Sequence, residues 1–256
     1  MHVVQDGETL IGIAFTYGIT LEELLAANPG VDPRFLSIGH ELIIPIAGVE
    51  DPQDAQLSVT PIPVVLDAVS CFRTPSNALW CLTAANGRSG ETIEGLAALI
   101  TLSDALGGEL ANEIAYGPLN LLGAEEIMPL AAFFSPPAPE FSHANATLLS
   151  AFESADEGER YLEIEVNLDV TQALPGSTRW QLSGSVSLAA GAAGPAERIS
   201  VLVVALSSSG EMVGFNVWES VGAVAPGGQL SVALDLFSLG PPIAAIQILA
   251  EAQAAQ

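Results

Sequence analysis

Cys71 and Cys81 are the only cysteines in the chain, and the turn-forming run Thr74-Pro75-Ser76-Asn77 lies between them. If residues 66–73 and 78–85 pair as a hairpin around Ser76, the two side chains face each other. A disulfide there closes a short loop and contributes about 2–3 kcal/mol by restricting the unfolded chain. It also fits an oxidising compartment. The alternative is two free buried thiols. A catalytic thiol needs a base beside it, and the three histidines, His2, His40 and His143, are scattered. His2 and His40 come together only if the outer strands of the amino-terminal segment pair, and no third ligand at metal-binding spacing accompanies them. No metal and no cofactor is expected. The run Asp156-Glu157-Gly158-Glu159 lacks the alternating oxygen ligands of a calcium loop and reads as a solvated junction. Asn145-Ala146-Thr147 fits an N-glycosylation sequon. Nucleophile elbows, phosphate loops, zinc-protease helices and dinucleotide fingerprints do not occur. Nothing marks two of the 30 acidic residues as a general acid and base, so no catalytic residues are assigned and the chain is expected not to be an enzyme.

The elements that would carry these residues fall into three parts. Residues 1–46 form a first segment. Residues 47–59, polar and proline-containing, read as a linker. From residue 60 onward short strand patterns alternate with turn signals. That region repeats itself: Pro75, Trp80 and Leu82 correspond to Pro175, Trp180 and Leu182, and Gly108-Glu109 corresponds to Gly210-Glu211. Two β modules are expected, residues 60–154 and 155–256. Leu162, Ile164, Val166, Leu168 and Val170 alternate with polar residues, as do Trp180, Leu182, Val186 and Leu188. This period of two marks half-buried strands. Further strands are expected near 62–70, 78–85, 93–102, 109–116, 126–134 and 145–153, and near 198–206, 211–221, 229–237 and 243–251. Short strands at this spacing suggest immunoglobulin-like β-sandwiches, with Trp80 and Trp180 as their core tryptophans.

In the first segment, His2 to Gln5 reads as a strand. Leu10, Ile13, Ala14 and Tyr17 then fall on one helical face, and Gly18 stands where a helix cap would. Thr20 and Glu23 form a capping box for a second helix, which Asn28-Pro29-Gly30 stops. Leu42 to Pro45 is a second strand, giving β-α-α-β. The string from Val4 through Gly7, Glu8, Thr9, Leu10, Ile13, Ala14, Tyr17, Gly18, Asn28, Pro29, Leu36, Gly39, Leu42, Ile44 and Pro45 resembles the LysM domain family in order and spacing. The resemblance implies binding of N-acetylglucosamine-containing glycans such as peptidoglycan or chitin. It places the groove between Gly7, Glu8, Thr9, Leu10 and Ile11 on one side and Asn28, Pro29, Gly30 and Val31 on the other. Ile11 departs from many relatives, which carry a larger or more polar residue there.

Half the residues are hydrophobic and 14% are charged. The formal net charge of −24 comes with six arginines and no lysine. Such a surface has no basic patch for phosphate, which excludes nucleic acid as an expected partner and disfavours anionic membranes. No apolar run is long enough to span a bilayer, and no signal-peptide pattern precedes His2. The sequence therefore predicts a mixed multidomain chain, a small α+β (βααβ) domain followed by two all-β sandwiches. Its expected role is to bind cell-wall glycan outside the cell or in the cell envelope, with the sandwiches as spacer or display units. A second reading is a homo-oligomer or polymer, the subunit of a surface layer, sheath or filament. It rests on Leu96 to Leu102 and Val201 to Leu206, which are almost continuously apolar, as strands buried on both faces are. A tight interface between the two repeats would produce the same pattern.

Overall fold

The computed structural model describes residues 1–5, 10, 13–14, 17, 19, 24–25, 27–28, 31, 39–45, 62–87, 92–154, 160–173 and 176–255. In the first segment β1 (His2–Val3) pairs antiparallel with β2 (Glu41–Leu42). Leu10, Ile13 and Ala14 have helical backbone, as do Leu24, Leu25 and Ala27. Tyr17 and Asn28, at the ends of the two expected helices, are not helical, and the remaining residues of both helices, the 47–59 linker and the 156–159 acidic run lie outside the described residues.

The rest is β structure. The strands are β3 (Val65–Leu66), β4 (Ser70–Arg73), β5 (Leu79–Asn86), β6 (Ile93–Ser103), β7 (Glu109–Tyr116), β8 (Leu121–Leu122), β9 (Ile127–Phe134) and β10 (His143–Glu153). They continue as β11 (Ile164–Ala173), β12 (Arg179–Leu188), β13 (Ala196–Leu206), β14 (Met212–Glu219), β15 (Gln229–Phe237) and β16 (Ala245–Ala254). Most spans follow the strands expected from sequence, but the expected 62–70 strand is replaced by the separate short strands β3 and β4, and β8 was not expected. In the first half β5 pairs with β3, β4 and β9, while β6 pairs with β10, β7 and β8. In the second half β12 lies between β11 and β15, and β13 lies between β14 and β16. The two halves thus share one connectivity. Corresponding hairpins join β6 to β7 and β13 to β14: Gly107 N donates to Asp104 O, and Gly210 N donates to Ser207 O. Both glycines have φ of +85°, a left-handed conformation that a side chain would strain.

The sheets pack face to face in each half. In the second, Leu182 and Leu236 of one sheet meet Val203, Ala205 and Val213 of the other, and Val186 and Leu188 meet Ile199 and Val201. In the first, Leu79, Cys81, Leu130 and Met128 meet Leu96, Ala98, Ile100 and Leu102. That core does not stop at the repeat boundary. Leu202, Val204, Met212 and Leu249 of the second half belong to it, with Phe215 and Val217 packed at its margin. These side chains come from the face of the β13 sheet that points away from its own sandwich. Opposite them lie Leu82 and Ala84, on the outward face of β5 and both nearly inaccessible. The Ile127 amide donates to the Gln247 side chain across the same junction, at 3.0 Å.

Val201 through Ala205 are all at 0% exposure. Alternate residues serve alternate sheets, so a strand with no polar position is what this environment selects. Its apolar run is accounted for within the chain. In β6, Leu96, Ala98, Ile100 and Leu102 fill the first core, whereas Leu99 and Thr101 are half-buried.

The repeat also corrects one expectation. Trp180 packs at the inner core of its sandwich. Trp80 does not: it pairs across the ladder with Phe133, on the outward face of β5, with the two ring centroids 4.8 Å apart. Inward positions on β5 are 79, 81, 83 and 85, and on β12 they are 180, 182, 186 and 188. The offset of 100 residues therefore aligns side chains that point to opposite faces, because a slip of one residue inverts a strand.

Candidate functional site

The first segment is built around Val4, Leu10, Ile13, Ala14, Ile19, Leu24 and Leu42, all buried. Burying these side chains is what holds so short a chain together. Val4 N donates to His40 O at 2.9 Å and Gly39 N to Val4 O at 2.8 Å, closing the small sheet. Gly39 has φ of +81°, so the turn into β2 favours glycine. His2 lies beside Tyr17, with Nδ1 and the phenol oxygen 3.2 Å apart.

Of the groove residues implied by sequence, Leu10, Asn28 and Val31 are described. Gly7, Glu8, Thr9, Ile11, Pro29 and Gly30 lie outside the described residues. Leu10 is buried in the core and Val31 is half-buried against it. Asn28 is also buried, and its side chain is fully engaged. Its amide Nδ2 donates to Leu24 O at 2.7 Å and to Ile43 O at 2.8 Å, while Oδ1 accepts from Ile43 N at 2.7 Å. This side chain ties the end of the second helical stretch to Ile43, just after β2. It holds the Asn28–Val31 turn, whose backbone bond runs from Val31 N to Asn28 O at 3.2 Å. Asn28 thus anchors the turn that the resemblance assigns to one side of the groove. Its partner Ile43 is 15 residues away, so sequence spacing could not reveal the bond.

LysM domain is the family that matches residues 2–45. The chain carries a LysM domain. No curated protein matches the chain in sequence. Among solved structures, a red sea bream transglutaminase overlaps 78% of this chain and 30% of its own, at 11% identity and a TM-score of 0.25. A Bacteroides uniformis β-glucuronidase overlaps 66% of this chain and 22% of its own, at 11% identity and a TM-score of 0.23. The chain therefore spans less than a third of either protein, and likeness at this level carries no argument about fold or function.

The expected hairpin forms around Ser76. Cys71 and Cys81 are directly opposite, with Cα atoms 4.1 Å apart, and they are bonded as a disulfide. Cys81 points into the first core. Among the described residues no group of three His, Cys, Asp or Glu side chains is placed to hold a metal ion. None of the described helical stretches is long and apolar enough to cross a membrane.

Sequence reasoning missed a polar cluster where the two repeats meet. Glu94, with its side chain 6% exposed, takes both arms of Arg160, at 2.6 Å and 2.9 Å. Such a bidentate fork is the strongest form of this pair. The Tyr161 hydroxyl donates to the same carboxylate at 3.2 Å. Burial, and then the charge of Glu94, push the Tyr161 phenol far above its ordinary range. Nearby, Glu251 of β16 reaches into the first half. It accepts from the Asn120 and Leu121 amides at 2.8 Å and 3.1 Å, and from the side chains of Asn120 and Gln253. Burial raises the Glu251 carboxyl, and these hydrogen bonds oppose the rise. The available signal was a lone acid in each of two apolar strands, Ile93–Leu102 and Ile248–Ala252.

Proposed function

We propose that this protein is a non-catalytic, extracellular or envelope-associated binder of N-acetylglucosamine-containing wall glycan, peptidoglycan or a chitin-like polymer. The LysM domain at residues 2–45 carries the reading. The glycan lies between the Gly7–Ile11 segment and the Asn28–Val31 turn. Apolar side chains cover sugar faces there and backbone amides meet acetamide groups, with Asn28 setting the turn from behind. The two sheet pairs are immunoglobulin-like sandwiches spanning residues 60–154 and 155–256, and they act as one display body carried by the anchor. A single module of this size binds weakly, and several anchors on one surface raise the avidity.

The test is co-sedimentation with purified peptidoglycan sacculi and with chitin, beside a tube without glycan. Pelleting only with glycan supports the anchor. A protein that stays soluble in every tube refutes it, and one that pellets without glycan is a self-assembling subunit instead. Asn28→Ala strips partners from buried backbone groups at about 1–3 kcal/mol. It should weaken pelleting while the sandwiches keep their melting transition.

A further inference from the structure

One strand position is built differently in the two repeats. In the second, β11 runs from Ile164 to Ala173 along β12 with a single register shift. In the first, the strand at that place beside β5 is interrupted. β3 pairs only Val65 and Leu66 with β5, and β4 pairs only Ser70 to Arg73. Residues 67–69 leave the ladder, held by the Asp67 amide on Ala84 O at 2.8 Å and by Thr83 Oγ1 on Asp67 O at 2.7 Å. This leaves β4 as a four-residue strand with β5 as its ladder partner, and so short a strand is held weakly by backbone pairing alone. The Cys71–Cys81 bridge ties it to β5. At its far end Arg73 donates to Ala138 O at 3.2 Å and to Pro139 O at 2.9 Å.

The second repeat meets the rim of the junction on this same strand. Phe72 stands opposite Trp80 in the ladder and is half-buried against the shared core. The turn after β15 lies on its ring, and a side chain on Gly240 would collide with Phe72. That turn is tied to β14, with Leu239 N donating to Val213 O at 2.8 Å, and β14 belongs to the sheet that covers β5. The bridge therefore fixes the strand that carries Phe72, and through Phe72 the seating of the second repeat.

We propose that Cys71–Cys81 is a redox latch on the junction between the repeats, opened in the folded protein by a dithiol reductant. Cys71 is half-buried and Cys81 fully buried, so attack falls on Cys71. A thiolate of the dithiol bonds to the Cys71 sulfur, the disulfide breaks, and Cys81 leaves as a thiolate that takes up a proton. The second thiolate of the reductant then closes on the first sulfur and releases Cys71, which is protonated in turn. Two electrons pass to the protein, which ends with two thiols, and the reductant leaves as a disulfide. With the bridge open, β4 depends on its ladder and Arg73, and the contact of Phe72 with Gly240 loosens. The fold survives, because the second repeat reaches the same connectivity without a cysteine.

The full chain would be treated with dithiothreitol in the absence of denaturant and followed by circular dichroism and hydrogen exchange. After acid quenching, peptic fragments show whether Cys71 and Cys81 are still joined and how fast each segment exchanges. The expected result is an open bridge with an unchanged spectrum. Exchange should quicken about tenfold or more both in residues 70–73 and in residues 238–244, while residues 164–173 keep their rate. Reoxidation with oxidised glutathione should reverse the change, and Cys71→Ser with Cys81→Ser should show the fast pattern with or without reductant. A bridge that opens only once urea is added overturns the proposal. So does loss of the β spectrum on reduction. Quickening confined to residues 70–73 overturns it as well, since the bridge would then staple one hairpin without governing the second repeat.

Discussion

The two repeats use the same face of the same sheet in opposite ways. In the first, Leu82, Ala84 and the rim pair Trp80–Phe133 stand on the outward face of β5 and β9, and the β13 sheet covers it. In the second, the matching face of β12 and β15 carries Arg179, Gln181, Ser183 and Asp235 and meets water. Connectivity and hairpin geometry are shared, so the fold does not decide which face is sticky. The alternate residues of two strands do. The second repeat covers the first, and the far face of the second stays open to water.

The comparison breaks most severely at the buried ion pair that fixes the junction. Arg160→Ala strands the Glu94 carboxylate in a buried site, at about 3–5 kcal/mol. Urea unfolding followed by circular dichroism should show the loss, and Arg160→Ala with Glu94→Gln should recover part of it. If the single variant is as stable as the parent, the junction is not held by this pair. Next in size is the contrast between the faces. Leu82→Ala removes a fully covered side chain and should cost about 2–5 kcal/mol, whereas Gln181→Ala, on the open face, should stay within about 0.5 kcal/mol. Equal effects would mean that the β5 face is not covered in solution.

The first repeat alone has a disulfide. Replacing Cys71 and Cys81 by serine should lower stability by about 2–3 kcal/mol. A single shared transition in the variant would show that the repeats unfold together, and two separated transitions would show that they do not. The smallest effect is that of pH at the same junction. Glu251 has its carboxyl raised in the folded state, so the folded protein favours the protonated form. Stability from this group is fullest below the ordinary carboxyl value and declines as pH rises through the raised one. Glu251→Gln keeps an acceptor for the Asn120 and Leu121 amides, and the neighbouring side-chain amides can flip to receive its NH2. The variant should flatten the decline seen between mildly acidic and neutral pH. An unchanged profile would place the source of any pH dependence elsewhere.

Most strands were legible because alternation is a local property. Ile164, Val166 and Leu168 pack inward as their spacing requires, and the hairpin that joins Cys71 to Cys81 follows from the turn between them. What escaped was whatever depends on partners far along the chain. Trp80 was misplaced because similarity between repeats aligns letters and not faces. Gly108 was aligned with Gly210, while the two hairpins match Gly107 to Gly210, which a residue count without the turn geometry could not tell. Within the LysM domain the family pattern located Asn28, but its bonds to Leu24 and Ile43 are tertiary. Glu94 and Arg160 are 66 residues apart, and no pattern in either segment names the other.

The unbroken burial of Val201 to Ala205 has a consequence for how this protein can change. On β12 every second position is open to replacement without touching the core, and new recognition can be written there. From Val201 to Ala205 on β13 no position is spare. An altered residue disturbs either its own sandwich or the neighbouring one, and an inserted residue disturbs both. Variation should therefore accumulate on the two outermost sheets and be purged from the two between them, so the interior pair is the part of the lineage that sequence drift erases last.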